Sequence, residues 1–162
     1  MKIALALSIL CLSVGGIASA AETPRADRAA VLKVVNSFFE AMQARDVETI
    51  RNIYQPQTQF VWRVPSPGGV NVQQGSVEAF IQDVEAAPQP FLERIWSPTV
   101  NIEGGVAVVW ARYDFHRGAK FSHNGRDCYV LLKTSDGWKI VSLVFSVEPG
   151  VRTENPLGPP RP

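Results

Sequence analysis

Residues 101–147 read NIEGGVAVVWARYDFHRGAKFSHNGRDCYVLLKTSDGWKIVSLVFSV, and this stretch decides the fold. Apolar-rich runs are cut by Gly-bearing turns at Gly104-Gly105, Gly118-Ala119 and Asp136-Gly137, the last being the strongest hairpin signal in the chain. The spacing predicts an antiparallel meander with strands over Val106–Phe115, Phe121–Lys133 and Trp138–Val147. A further strand is expected from Phe91 to Ile102, where Pro98 predicts an edge or a bulge. The middle runs also carry Arg112, Asp114, His116, His123 and Asp127, nearly all of the chain's chemically interesting side chains.

A two-residue turn at Gly118-Ala119 pairs Arg117 with Lys120. Counting outward, Asp114 falls opposite His123, Arg112 opposite Gly125 and Trp110 opposite Asp127. Side chains two apart share a face. Trp110, Arg112, Asp114, His116, His123 and Asp127 are therefore expected on one side, and Val109, Ala111, Tyr113 and Phe115 on the other. Opposed Cβ atoms stand ~5 Å apart, so Asp114 and His123 would touch. In the functional reading Asp114 orients His123 and raises its pKa, and Asp127 serves as a general base. In the competing reading the same residues knit the sheet or line a subunit interface, since ion-pair networks also perturb pKa values. A slip of one residue would dissolve the cluster. His116, beside the turn, is expected to be solvated. Cys128 is expected to be a small buried hydrophobe rather than a nucleophile.

The half of the chain before this meander is mainly helical. Thr23-Pro24 opens a helix with Val31, Val34, Phe38 and Met42 at helical spacing. Asp46 caps a short second helix carrying Val47, Ile50, Ile53 and Tyr54. Strands follow at Thr58–Val64 and Val70–Gln73 around the turn Pro65-Ser66-Pro67-Gly68-Gly69. Gly75-Ser76 then opens a third helix with Val77, Phe80, Ile81 and Val84 on one side, stopped by Ala87-Pro88-Gln89-Pro90. Helices followed by strands form an α+β order rather than βαβ units.

The N-terminus reads as an export signal. Lys2 is followed by apolar Ile3–Val14 and by small residues at Ala18-Ser19-Ala20. The apolar run is too short for the ~20 residues that span a bilayer. Three segments are therefore expected: a signal over 1–20, one domain over 21–148 and a Pro/Gly-rich tail over 149–162, with a periplasmic or secreted destination. Cleavage after Ala20 removes one Lys and no acid. The mature charge is then zero, which argues against a nucleic-acid partner. Cys128 is the single mature cysteine, so no internal disulfide is expected, and no His/Cys spacing suggests a metal.

The helix bend Phe38-Phe39…Arg45-Asp46…Ile50…Tyr54 resembles the nuclear transport factor 2-like superfamily, in its bacterial SnoaL-like or lumazine-binding-like branch. So do Trp110-Ala111…Tyr113-Asp114-Phe115, Phe121-Ser122-His123…Gly125 and the closing Gly137-Trp138-Lys139-Ile140. Arg112 stands where the branch usually has Pro, and Asn124 where it has Cys between His and Gly. The resemblance implies a cone-shaped, curved, antiparallel or mixed sheet around three helices, a cystatin-like roll. It implies a pocket for a small apolar or aromatic molecule, with Asp127, His123 and Asp114 as acid–base candidates. Arg112, Tyr54, Trp62 and Trp110 are ligand-contact candidates; no cofactor is expected. The strand residues alternate between two largely apolar sets, and three helices cover one face only. A second copy packed sheet to sheet is therefore expected. An exported small-molecule binder with isomerase- or cyclase-like acid–base chemistry is one reading, and a non-catalytic dimerisation module of the cell envelope is the other.

Overall fold

The structure is a computed structural model that describes residues 24–150 and 155–159. The expected export segment lies outside the described residues. Helix α1 spans Pro24–Ala44 and buries Val31, Val35, Phe38, Phe39 and Met42. Arg45, at φ 58, makes the bend. Asp46 then caps α2 (Val47–Ile53), its carboxylate accepting from the Thr49 amide at 3.0 Å. Tyr54, expected at the end of this helix, is instead the first residue of strand β1 (Tyr54–Ser66). Pro56 explains the early stop, because the residue before a proline avoids the helical region.

Strand β2 (Gly69–Ser76) returns antiparallel on β1, and Ser76 caps α3 (Val77–Ala86). The meander follows as β3 (Phe91–Glu103), β4 (Val106–Arg117), β5 (Lys120–Thr134) and β6 (Gly137–Ser146), with a two-residue β7 (Glu148–Pro149) beside β5. The sheet order is β2-β1-β6-β5-β4-β3, mixed because β1 runs parallel to β6. It is curved and unclosed, with the three helices in its concave side. Strand β3 is an edge strand and shifts register between Trp96 and Thr99, so Pro98 marks both features. Among the described residues no helix is long and apolar enough to cross a membrane.

The core lies between α1 and the inner sheet face. Phe38 sits edge-on to Tyr54 at 5.2 Å and to Tyr129 at 6.5 Å, and Tyr54 meets Phe60 at 5.3 Å. Tyr129, Leu131 and Ile140 are fully buried. Aromatic pairs of this kind add about 1 kcal/mol each beyond the area they bury. They also fix how far the helices stand off the sheet, which determines the space left inside.

Candidate functional site

The hairpin joining β4 and β5 begins as counted, with Arg117 opposite Lys120 and His116 opposite Phe121. Ser122 is then an extra residue: the next pair is Phe115 with His123. Beyond this bulge Asp114 faces Asn124, Arg112 faces Arg126, Ala111 faces Asp127 and Trp110 faces Cys128. One inserted residue exchanges the faces of everything after it. The expected Asp114–His123 and Trp110–Asp127 pairings therefore do not form. His123 and Asp127 join Tyr113 and Phe115 on the inner face, while Asp114, Arg112 and Trp110 lie on the outer one. The shifted register sets Tyr129 against Val109 and Leu131 against Ala107 in the core. Opposite Tyr113 lies Gly125, where a Cβ would overlap the carbonyl oxygen of Ser146, so only glycine fits.

Inside the curved sheet is a cavity of about 850 Å³. Its walls are Phe38, Phe60, Trp62, Phe80, Phe91, Tyr113, Phe115 and Phe145, and the polar groups reaching it include Glu93, Asp127 and His123. Trp62 stacks on Phe145 at 5.5 Å with 13° between the planes. His123 stacks on Phe115 at 4.9 Å, and its Nδ1 lies 3.0 Å from the Ser122 hydroxyl. The bulge residue thus orients the imidazole it turned inward. Tyr54 does not line the cavity. It packs behind the wall, and its buried hydroxyl has no hydrogen-bond partner among the described residues.

The carboxyl groups of Glu93 and Asp127 meet at the inner end. Tyr129 places its hydroxyl 3.3 Å from Glu93 Oε1 and 3.5 Å from Asp127 Oδ2. A phenol has one proton to donate, so it serves both acids only when the second carboxyl is protonated and donates to it. Burial, opposed by hydrogen bonds from Asp127 and Tyr129, pushes Glu93 up to about 7. Burial and then the neighbouring Glu93 charge hold Asp127 well above the carboxylate range. Two carboxyls in one desolvated site cannot both ionise, so they share a proton near neutral pH. Burial, followed by the Arg117 charge, lowers His123 to about 4, leaving a neutral imidazole. The expected rise of the His123 pKa is thus reversed, because its carboxylate partner is on the other side of the sheet.

The family model described as "Putative lumazine-binding" matches residues 26–146. The chain belongs to this lumazine-binding family of the nuclear transport factor 2-like superfamily. Solved relatives share the fold. An NTF2-like protein of unknown function from Shewanella baltica OS155 is 20% identical at a TM-score of 0.60, over 80% of this chain and 99% of that one. An NTF2-like protein with a cystatin-like fold from Novosphingobium aromaticivorans is 15% identical at a TM-score of 0.62, over 77% and 84%. A protein described as a "putative dehydratase from the NTF2-like family" of Streptomyces avermitilis is 20% identical at 0.58, over 77% and 98%. No curated protein sequence matches the chain.

On the outer face of this lumazine-binding-family sheet, Asp114 is only 4% exposed and forms a separate cluster. Arg94, opposite it on β3, donates to both carboxylate oxygens at 3.0 and 2.5 Å. Asn155 Nδ2 donates to the same carboxylate at 2.9 Å, and Arg94 also reaches the Gly158 carbonyl at 2.9 Å. Burial would raise Asp114, but these bonds, Arg94 foremost, hold it below the carboxylate range. The Pro/Gly-rich tail is therefore anchored over 155–159. His116, expected in solvent, is instead 2% exposed, with Nε2 3.4 Å from Asp114 and its ring against Phe121. Arg112 is exposed and Trp110 is 50% exposed, both away from the cavity.

Of the sequence candidates, Asp127, His123 and Trp62 meet at the cavity, and Tyr54 stands one layer behind. Glu93 and Tyr129 are not among those candidates. Glu93 has a readable signal, because it alternates with Phe91 and Ile95 and so is a carboxylate within a strand's apolar set. Tyr129 has none that separates it from an ordinary core aromatic.

Proposed function

We propose that the chain is an exported small-molecule-binding protein whose ligand, small and apolar or aromatic, occupies the cavity, with Glu93 and Asp127 exchanging a proton or hydrogen bond with it. The observation that carries this reading is a pair of acids at the buried end of an aromatic-walled space. A merely structural interior would fill such a volume with side chains, and the family's description as lumazine-binding agrees in kind. The pair has the elements of general acid–base catalysis, one carboxyl protonated and one free near neutral pH. Isomerase- or cyclase-like proton transfer is the activity this supports. Export is part of the proposal and rests on Lys2, Ile3–Val14 and Ala18-Ser19-Ala20.

A homodimer through the outer sheet face belongs to the same reading. Trp110, Cys128 and Val144 form one row across three strands, with Trp110 50% and Val144 46% exposed. That row is also what favours the accessory-module reading, in which dimerisation is the whole role. Native mass spectrometry of protein purified from the exported fraction of its own cells separates them. A dimer carrying a small-molecule mass is expected; a dimer with none supports the module, and a bare monomer overturns both.

A further inference from the structure

The cavity is polarised from end to end. Asp127 is 2% exposed and, with Glu93, closes the inner end, where no cation among the described residues stands beside it on the inner face. At the mouth are Arg117 and Lys120, both exposed, with Asp83 and the neutral His123. The mouth therefore carries one net positive charge. Its rim is shaped by the β4–β5 turn meeting the segment after α3, where the Gly118 amide donates to the Pro90 carbonyl at 2.8 Å. Arg117 is held over the Phe91 ring at 5.6 Å, which keeps its charge on the lip. His123 and Asp127 are four residues apart on one strand, a span of roughly 13 Å at ~3.3 Å per residue. Aromatic rings line the distance between the ends.

Resting on the ligand-binding reading above, we infer that the cavity takes an elongated aromatic acid: a neutral ring bearing a hydroxyl or N–H group enters first and meets Glu93 and Asp127, while an anionic group stays at the mouth with Arg117 and Lys120. The inner acids reject an anion, because a second negative charge beside the proton-sharing pair has no counter-ion and no water to solvate it. A proton-sharing pair can accept from a ligand O–H and donate back to its oxygen, which suits a neutral polar head. The mouth cations are solvated, so they add a modest preference and a faster approach rather than most of the affinity.

Four probes measured by calorimetry on the mature protein test this: naphthalene, 2-naphthol, 2-naphthoate and 6-hydroxy-2-naphthoate. The hydroxynaphthoate is expected to bind about tenfold or more tighter than 2-naphthoate, the value of a hydrogen bond to a charged acceptor. It should bind about fivefold tighter than 2-naphthol, an advantage that fades in high salt. In R117Q/K120Q, whose changes are at exposed positions and leave Asp83 as the charge at the mouth, hydroxynaphthoate should bind no tighter than 2-naphthol. In E93Q/D127N the hydroxyl should lose its advantage, with unchanged circular dichroism showing the fold intact. If 2-naphthol equals hydroxynaphthoate on wild type, or R117Q/K120Q keeps the carboxylate preference, the orientation is wrong although the pocket still binds aromatics. If none of the four binds, the ligand-binding reading falls with it.

Discussion

Replacing Glu93 by Gln removes one carboxyl from the inner pair and leaves its shape. A carboxyl free in the unfolded chain titrates near 4.5, whereas Glu93 in the fold titrates at about 7. The folded-state value is raised, so the folded protein binds the extra proton between these limits. Its stabilising effect is complete below pH 4.5 and is lost as pH rises through about 7. Each pH unit between those two values is equivalent to about 1.4 kcal/mol, so ionising Glu93 in place costs about 3 kcal/mol at pH 8. The difference in stability between E93Q and wild type should therefore be near zero below pH 4.5 and climb to about 3 kcal/mol in favour of the variant by pH 8.

Only the difference between the two proteins isolates Glu93, because other groups titrate in the same range. His123 is lowered to about 4, so it destabilises the fold as pH falls from 6.5, with a slope opposite to that of Glu93. These two nearly cancel in wild type between about pH 4.5 and 6.5, and the Gln substitution exposes the His123 slope. Asp127, raised by burial and by Glu93, relaxes downward in the variant, which adds to the gain at high pH. Urea unfolding at half-unit steps from pH 4 to 9 measures the curve. A difference that does not change with pH would show that Glu93 is not desolvated beside Asp127, and the acid pair would lose its standing as a site.

Other perturbations are as specific. Asp114→Asn leaves the Arg94 guanidinium, 18% exposed, without its counter-charge and should cost about 2–3 kcal/mol. Amide exchange over residues 155–159 should rise with it, and unchanged exchange would mean that Asp114 does not hold the tail. Gly125→Ala places a methyl into the Ser146 carbonyl between β5 and β6, so a loss of about 3 kcal/mol or failure to fold is expected in thermal melts. A normal melting curve would show that the two strands leave room for a methyl after all. Trp110→Glu puts a charge in the exposed apolar row and should convert a dimer to monomers in sedimentation equilibrium, whereas an equally dimeric variant would put the interface elsewhere.

The architecture is legible because its punctuation is local: Gly118 at φ 58 and Gly137 at φ 95 take backbone conformations other residues avoid, and the apolar periods between them are long. The site is not, because it depends on one unpaired residue. Both alternations of β5 contain apolar side chains, Tyr129 and Leu131 in one, Val130 and Leu132 in the other, so apolar content does not choose the inner set. The polar members do. Arg126 belongs to the even-numbered set and Asp127 to the odd-numbered one. A guanidinium stays charged at any pH a protein survives, and sinking it opposite the apolar set of β4 would strand that charge. A carboxyl can take up a proton and enter neutral, above all beside a second acid on β3. Arg126 therefore has to face outward and Asp127 inward. A two-residue turn at Gly118-Ala119 gives the opposite assignment unless one residue is inserted between Lys120 and Arg126. The insertion is Ser122, whose hydroxyl then bonds to the imidazole of His123. The charge that could not be neutralised set the register, and the register carried Asp127 into the cavity.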